Sequence, residues 1–182
     1  MSVNDDLPWI PRVLDLIRRA VGADQPCLGH CLGGQLISKA LGGVVTKNPI
    51  KEIGWHEVKV EDNEAAHEWL AGIDHFTTFQ WHGETFTLPS GATRILTGPN
   101  CANQAYVLGK HLGMQCHVEM TPEMIESWCN DGAKEIEDAI EKGKAQAVAT
   151  PDEIRAHAPK QLPGLNSIAD KLYTHWVGQL AP

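Results

Sequence analysis

Cys31 stands at the centre of a glycine-rich stretch, Gly29-His30-Cys31-Leu32-Gly33, between a short apolar run and a helical pattern. This order predicts a strand, a sharp turn with Cys31 at its apex, and a helix that includes Gln35 to Leu41. Glycines suit such a turn because they accept backbone conformations that other residues avoid. A thiol at this helix N-terminus would meet partial positive charge and unpaired N–H groups, which favour the thiolate. The alternative is a small buried cysteine without chemistry, the usual fate of a lone cysteine.

The composition argues against several classes of function. A net charge of −8 over 182 residues disfavours nucleic acid and anionic membrane surfaces as partners. No apolar run approaches the length of a membrane span, and the N-terminus lacks the pattern of a signal peptide. Five cysteines form an odd number without a CxxC spacing, which indicates free thiols in a reducing cytoplasm. Without short-spaced metal ligands, no zinc site is expected.

The order of patterns predicts a single α/β domain over residues 1–182, with a helical C-terminal segment from about residue 121. Helices are predicted from a cap at Asp6, after Asn63, from Pro122, over Asp131–Lys142, after a capping box at Thr150, and over Leu165–Leu180. Strands are predicted from Val44, over Ile53–Val60 and Phe76–Trp81, and at Arg94–Thr97, Ala105–Leu108 and Met114–Val118.

A second pair of reactive side chains, His117 and Glu119, lies at the end of a predicted strand. Residues two apart on a strand point to the same face, so the carboxylate can hold the imidazole in one tautomer. A cysteine nucleophile needs such a base and such an orienting acceptor. Taken alone, the pair would be interpreted as exposed side chains at a strand end. Together with the cysteine turn, it favours a catalytic interpretation.

Four stretches resemble the class I (triad) glutamine amidotransferases, most closely the stand-alone members similar to the amidotransferase domain of GMP synthase. They are Pro26–Leu36, Ala40–Val44, Gln80–Pro89 and Gly113–Glu119, in the order that the family has them. The cysteine stretch is quite specific, and its combination with the His-x-Glu pair is strong. The resemblance implies an α/β fold of three layers, with a mostly parallel, flavodoxin-like sheet.

The resemblance implies catalytic roles for three residues. Cys31 would attack the side-chain amide of L-glutamine, forming a γ-glutamyl thioester and releasing ammonia. His117 would take the thiol proton and protonate the leaving ammonia, and Glu119 would orient His117. No cofactor is implied, because this chemistry needs neither metal nor nucleotide. The chain has no room for an ATP-using synthetase domain, so the ammonia acceptor would belong to a partner subunit.

The resemblance also implies substrate-binding residues. The backbone N–H of Leu32 would stabilise the oxyanion, and Gln35 would contact the bound glutamine. The backbone of a Trp81-His82-Gly83 turn would hold the amino-acid end of that glutamine. His82 is a second candidate base, but a purely structural role in the loop is an equally good interpretation. The family pattern favours His117 as the base.

The sequence departs from the family at its start. The family has a strand and a Gly-Gly-Pro-type loop about thirty residues before the nucleophile, the length of a βαβ unit, and that loop gives the second oxyanion N–H. Both Gly-Gly pairs of this chain, Gly33-Gly34 and Gly42-Gly43, come after Cys31. The expectation is therefore a chain that lacks the N-terminal strands and this loop, with reduced activity.

Two alternatives to a glutamine amidotransferase remain open at this point. A γ-glutamyl peptide hydrolase would use the same three residues and the same thioester on a different donor. A non-catalytic remnant of the fold would lack turnover, as the missing oxyanion loop would suggest.

Overall fold

The computed structural model describes residues 1–143 and 145–180. The helices are α1 (Trp9–Gly22), α2 (Leu32–Ala40), α3 (Glu64–Leu70), α4 (Pro122–Asp131), α5 (Ala133–Glu141) and α6 (Pro151–Gly178). The strands are β1 (Leu28–His30), β2 (Val45–Val60), β3 (His75–Phe86), β4 (Thr93–Thr97), β5 (Ala105–Leu108), β6 (His111–Met114) and β7 (Ala147–Val148).

The seven strands form one mixed sheet in the order β1-β6-β5-β4-β2-β3, with β7 beside β2. The β1–β6 and β2–β7 pairs are parallel, and the other four pairs are antiparallel. The expected α/β fold of the class I glutamine amidotransferase type is confirmed, although its sheet is more antiparallel than expected. Short connections explain the difference: Gly109 and Lys110 alone join β5 to β6, and a two-residue link allows only antiparallel pairing.

Helices cover both faces of the sheet, giving three layers. On one face, α1 and α2 pack through apolar side chains that include Ile10, Leu14 and Ile37. On the other face, α3, α4, α5 and α6 enclose a larger apolar cluster. Burial of these faces from water is the main force that holds the layers together. In residues 1–143 and 145–180, none of the helices combines the length and apolar character that crossing a membrane requires.

Three boundaries differ from the sequence-based expectation. Helix α1 is capped at Pro8 without a side-chain bond, so Asp6 is not its cap. The two strands expected between residues 44 and 60 are one continuous strand, β2. The helix expected after the capping box at Thr150 and the one expected from Leu165 are a single helix, α6, which includes Pro159 and Pro163. Buried residues at Ala158 and Leu162 anchor that stretch, and such packing outweighs the cost of proline inside a helix.

Two further differences concern the expected site. Trp81-His82-Gly83 is part of β3, not a turn, because β3 pairs with β2 on both sides of Gly83. Trp81 and His82 pair with Ile53 and Glu52, and Glu84 pairs with Lys47 beyond a bulge in β2. Strand β6 ends at Met114, before Val118. The chain bends at Gln115 and Cys116, and His117 then forms an isolated antiparallel bridge with Phe79 of β3.

Candidate active site

The turn at Cys31 depends on close backbone packing. Strand β1 ends at His30, Cys31 has φ 47° and ψ −107°, and α2 starts at Leu32. A Cβ at Gly29 would lie 2.4 Å from the carbonyl carbon of Gly33, and a Cβ at Gly34 would lie 2.3 Å from the carbonyl oxygen of Met114. Both glycines are therefore required for α2 to lie this close to β1 and β6. The predicted strand, turn and helix are confirmed.

The thiol of Cys31 forms hydrogen bonds with Trp81 and Gln115 among the described residues. Its Sγ lies 3.8 Å from the carbonyl oxygen of Trp81, and the side-chain amide of Gln115 donates to Sγ at 3.6 Å. Gln115 is fully buried, and its own oxygen accepts from Nε2 of Gln35 at 3.1 Å. A line of amides therefore runs from α2 through Gln115 to the sulfur, and its last donor is placed to stabilise a thiolate.

His117 and Glu119 are in direct contact, as the sequence predicts. The Nδ1 atom of His117 lies 2.6 Å from Oε1 of Glu119. The backbone N–H and C=O of His117 both bond to Phe79, at 2.9 and 3.2 Å, and Thr78 Oγ1 donates to the same C=O. The ring packs edge-on against Trp128 of α4, with centroids 4.8 Å apart. Backbone, carboxylate and indole together fix the orientation of the imidazole.

The electrostatics of His117 suit a base that holds a proton beside a thiolate. Burial opposes its protonation, but Cys31 and Glu119 outweigh that effect and raise the pKa of His117 to about 9. Burial would also raise the pKa of Glu119, but its bond to His117 holds that pKa below the ordinary value. Nε2 of His117 is buried without a hydrogen-bond partner in the part of the chain that the structure describes. Catalytic hydrogen bonds often close only when substrate binds.

An open cavity of about 690 Å³ reaches Cys31. The five sequence-predicted substrate-binding residues all line it: Leu32, Gln35, Trp81, His82 and Gly83. As the first residue of α2, Leu32 has a backbone N–H without a partner inside the helix, which leaves it available to an oxyanion. Gln35 also bonds to the carbonyl oxygen of Glu84, at 3.4 Å. The structure therefore brings these residues together around one cavity.

A contact between α5 and β3 holds Trp81 over the cavity. The indole N–H of Trp81 donates to Glu135 Oε2 at 2.9 Å, and Lys51 pairs with the other oxygen of the same carboxylate. Gly132, between α4 and α5, lies so close that a Cβ there would meet the Trp81 ring at 2.1 Å. The carbonyl of Trp81 faces the thiol, so this contact also fixes one wall of the site.

His82 belongs to a buried polar network behind the cavity. Its Nδ1 lies 2.9 Å from the carbonyl oxygen of Glu84, and its Nε2 lies 3.0 Å from Oε2 of Glu52. Both ring nitrogens of His82 are therefore engaged by protein oxygens, and neither is left to act as a base. Burial would raise the pKa of Glu52, but His82 outweighs it and the pKa lies below the ordinary value. Gln104 also donates to Glu52 Oε2, at 3.0 Å.

The same network contains the ligand atoms of Glu52, His82 and Cys101 within 4.8 Å of one another. These three side chains could hold a metal ion, an arrangement that sequence spacing did not reveal. Each atom already has a protein partner: His82 is bonded to Glu52, and Cys101 Sγ lies 3.2 Å from Thr85 Oγ1. The cluster is thus satisfied by its own hydrogen bonds, as buried polar groups generally are.

Sequence reasoning missed four residues near the site: Gln115, His30, Tyr173 and Glu135. Gln115 is spaced two residues before His117, as His117 is before Glu119, so this spacing could have indicated Gln115. His30 bonds through Nε2 to the hydroxyl of Tyr173, at 2.9 Å. These two lie 143 positions apart, and no local pattern joins them.

Comparison with known proteins identifies several similar chains. The family model for class-I glutamine amidotransferases matches residues 4–133. The glutamine amidotransferase-like protein YfeJ of Salmonella typhimurium is 34% identical over 152 residues, which cover 81% of this chain and 61% of that protein. A glutamine-hydrolysing GMP synthase subunit of Sulfurisphaera tokodaii is 31% identical over 123 residues, covering 65% and 62%. The chain thus spans about three fifths of these curated relatives.

Solved structures show the same fold. A glutamine amidotransferase from Methylobacillus flagellatus is 44% identical with a TM-score of 0.91, and the match covers 100% of this chain and 74% of that one. A glutamine amidotransferase from Thermotoga maritima is 29% identical with a TM-score of 0.85, covering 97% and 74%. Both matches extend through the helices after residue 121.

Proposed function

Because the chain belongs to the class I glutamine amidotransferase family, we propose that it hydrolyses the side-chain amide of L-glutamine through Cys31, His117 and Glu119. The observation that carries this proposal is the arrangement around His117. Its Nδ1 is fixed by Glu119 at 2.6 Å, its Nε2 is buried without a partner among the described residues, and the thiol of Cys31 lies near enough to raise its pKa.

The proposed reaction has two stages. The Cys31 thiolate attacks the amide carbon of glutamine, and the carbonyl oxygen becomes an oxyanion beside the N–H of Leu32. The C–N bond then breaks as the His117 imidazolium donates its proton to the leaving nitrogen, releasing ammonia and leaving a γ-glutamyl thioester. Neutral His117 next takes a proton from water, whose oxygen attacks the thioester. The C–S bond breaks, glutamate leaves, and the Cys31 thiolate and His117 imidazolium are restored.

The amino-acid end of glutamine would bind beside the β3 residues of the cavity. Trp81, His82 and Gly83 of β3 line the cavity, and the contact of His82 with Glu52 connects this part of β3 to β2. Gln35 lines the same cavity. Ammonia would pass to an acceptor on a synthetase partner, as the name of the GMP synthase subunit suggests for that relative. The five unpaired cysteines support a cytoplasmic location, which cell fractionation would test.

Labelling with a diazo-ketone analogue of glutamine tests the nucleophile. We expect Cys31 to react first, because burial raises the pKa of each of the other four thiols, at positions 27, 101, 116 and 129. Peptide mapping by mass spectrometry identifies the labelled site. Labelling of Cys31 no faster than of Cys101 or Cys129 would favour the non-catalytic alternative.

Turnover assays test the substrate. Wild-type protein should release ammonia from glutamine, and Cys31→Ala and His117→Ala should each remove most of this activity. Since the three residues act as a unit, the double variant should be little worse than either single one. Faster turnover of γ-glutamyl peptides than of glutamine would identify a peptide hydrolase instead. Stimulation by a synthetase partner would support the amidotransferase role.

A further inference from the structure

The second oxygen of Glu119 faces a group that the proposed mechanism does not use. Oε1 of Glu119 binds His117, while Oε2 is buried without a hydrogen bond in residues 1–143 and 145–180. A buried carboxylate oxygen without a donor is costly. The Nδ1 atom of His30 lies 3.5 Å from that oxygen, and the same Nδ1 lies 3.3 Å from the carbonyl oxygen of Cys116.

The surroundings of His30 determine where its proton lies. Both groups that face Nδ1, a carboxylate and a carbonyl, are acceptors, so Nδ1 must carry the hydrogen. Nε2 then has a free lone pair, and the hydroxyl of Tyr173 lies 2.9 Å from it. Burial raises the pKa of Tyr173, so its hydroxyl remains a donor. Burial also lowers the pKa of His30, which is consistent with a neutral ring.

Resting on the function proposed above, we propose that His30 is a positioning residue: held by Tyr173 of α6, it directs its Nδ1–H toward Oε2 of Glu119 and keeps that carboxylate aligned on His117. The chain of contacts runs from Tyr173 to His30, Glu119 and His117. The rings of His30 and His117 are stacked, with centroids 6.4 Å apart and an angle of 24° between their planes, and each approaches a different oxygen of the carboxylate. Glu119, His117 and Tyr173, with Cys116 behind them, are the titratable groups that face this contact.

Three variants separate this role from simple packing. His30→Leu keeps the bulk of the side chain and removes both nitrogens. His30→Asn places an amide N–H near the position of Nδ1, and Tyr173→Phe removes one hydroxyl. We expect kcat for glutamine to fall about tenfold in His30→Leu, as for other residues that orient a catalytic ligand, with KM within twofold. His30→Asn should stay within about threefold of wild type, and Tyr173→Phe should lie between them.

A packing role predicts the opposite order, because leucine fills a partly buried apolar position better than asparagine does. An impairment in His30→Asn equal to that in His30→Leu would therefore overturn the proposal. Circular dichroism and thermal melting confirm that each variant is folded. If His30→Leu does not fold, kcat of Tyr173→Phe is compared with that of wild type, since this change removes a single oxygen. An unchanged kcat would then overturn the proposal.

A second measurement does not need turnover. Nitrogen-15 histidine NMR on the whole chain reports the tautomer of His30 and the titration of His117. We expect an Nδ1–H tautomer for His30, and a lower titration midpoint for His117 in His30→Leu but not in His30→Asn, because a loosely held Glu119 stabilises the imidazolium less. An unchanged midpoint in His30→Leu would overturn the proposal. If the wild-type chain hydrolyses no glutamine, the proposed function fails while this titration still decides the role of His30.

Discussion

The side-chain amide of Gln115 points at the sulfur of Cys31, with Nε2 3.6 Å from Sγ, although Gln115 is fully buried. Two polar groups therefore lie next to the sulfur of Cys31. One is the N-terminus of α2, and the other is a side chain from the segment after β6. An amide donor lowers the energy of the charged sulfur more than that of the neutral thiol, because hydrogen bonds to ionised groups are stronger.

Replacing Gln115 with methionine should remove this donor while keeping the shape of the side chain. We expect alkylation of Cys31 by iodoacetamide at pH 7 to slow about three- to tenfold, from loss of one hydrogen bond to a charged group. Timed alkylation followed by peptide mapping measures this rate. Gln25→Met, on an exposed loop, is the matched control and should not change it. Equal rates in the Gln115→Met and wild-type proteins would show that the amide does not act on the sulfur.

The raised pKa of His117 predicts a pH dependence of stability. Its pKa is about 9 in the fold against an ordinary value of 6.5, so the protonated ring stabilises the folded state. This contribution is complete below about pH 6.5 and is lost as the pH rises through about 9. Urea unfolding should be measured at several pH values over this range. The free energy of unfolding of wild type should fall by about 1–3 kcal/mol more than that of His117→Gln. Parallel curves for the two proteins would refute the assignment.

The buried Glu52–His82 pair should contribute to stability behind the cavity. Glu52→Gln removes the charge opposite His82 and disturbs the bond from Gln104, so we expect the free energy of unfolding to fall by about 1–3 kcal/mol. Glu57→Gln, on the exposed side of the same strand, should change it by less than about 0.5 kcal/mol. Denaturant titration compares the two. Similar values for both variants would mean that the pair does not support β3.

The pH dependence of this pair has the opposite sign to that of His117. The folded-state pKa of Glu52 lies below its ordinary 4.5, so the stabilisation is present above about pH 4.5 and is lost as the pH falls through the folded-state pKa. Wild type and Glu52→Gln should therefore converge in stability in acid. If the difference in free energy of unfolding between wild type and Glu52→Gln stayed constant down to the acid transition, this explanation would be wrong.

Two adjacent glycines in α2 should respond very differently to alanine. A Cβ at Gly34 would lie 2.3 Å from the backbone oxygen of Met114, whereas nothing lies within 4 Å of one at Gly33. Gly34→Ala should therefore cost at least about 2 kcal/mol through overpacking, and Gly33→Ala should stabilise by about 0.5–1 kcal/mol through helix propensity. Thermal melts of both variants test this. A stable Gly34→Ala protein would show that α2 can shift away from β6.

The sequence made the nucleophile turn predictable because its causes are local. Glycines before and after Cys31, and an apolar pattern that changes from strand to helix, lie close together along the chain. The contact of His117 with Glu119 was also predictable, although the strand on which it was expected ends at Met114. An isolated bridge to Phe79 holds His117 in place, and His117 and Glu119 meet without a regular strand.

The rest of the site depends on contacts between distant parts of the chain. Pairing with β2 on both sides of Gly83 makes Trp81-His82-Gly83 part of a strand instead of a turn, and nothing within residues 81–83 reveals this pairing. Similarly, Pro159 and Pro163 suggest a break that buried neighbours in α6 prevent. Packing between elements overrides local preference in both cases, so single-sequence patterns cannot predict these features.

The left-handed backbone at Cys31, φ 47° with ψ −107°, places reactivity and stability in opposition at one residue. A side chain in a sparsely populated region costs on the order of 1–3 kcal/mol, which the surrounding packing must sustain. Cys31→Gly relieves this strain and Cys31→Ala retains it, so the glycine variant should unfold at the higher denaturant concentration. An inactive chain can thus be more robust than the active one, and selection for stability alone would tend to remove the nucleophile.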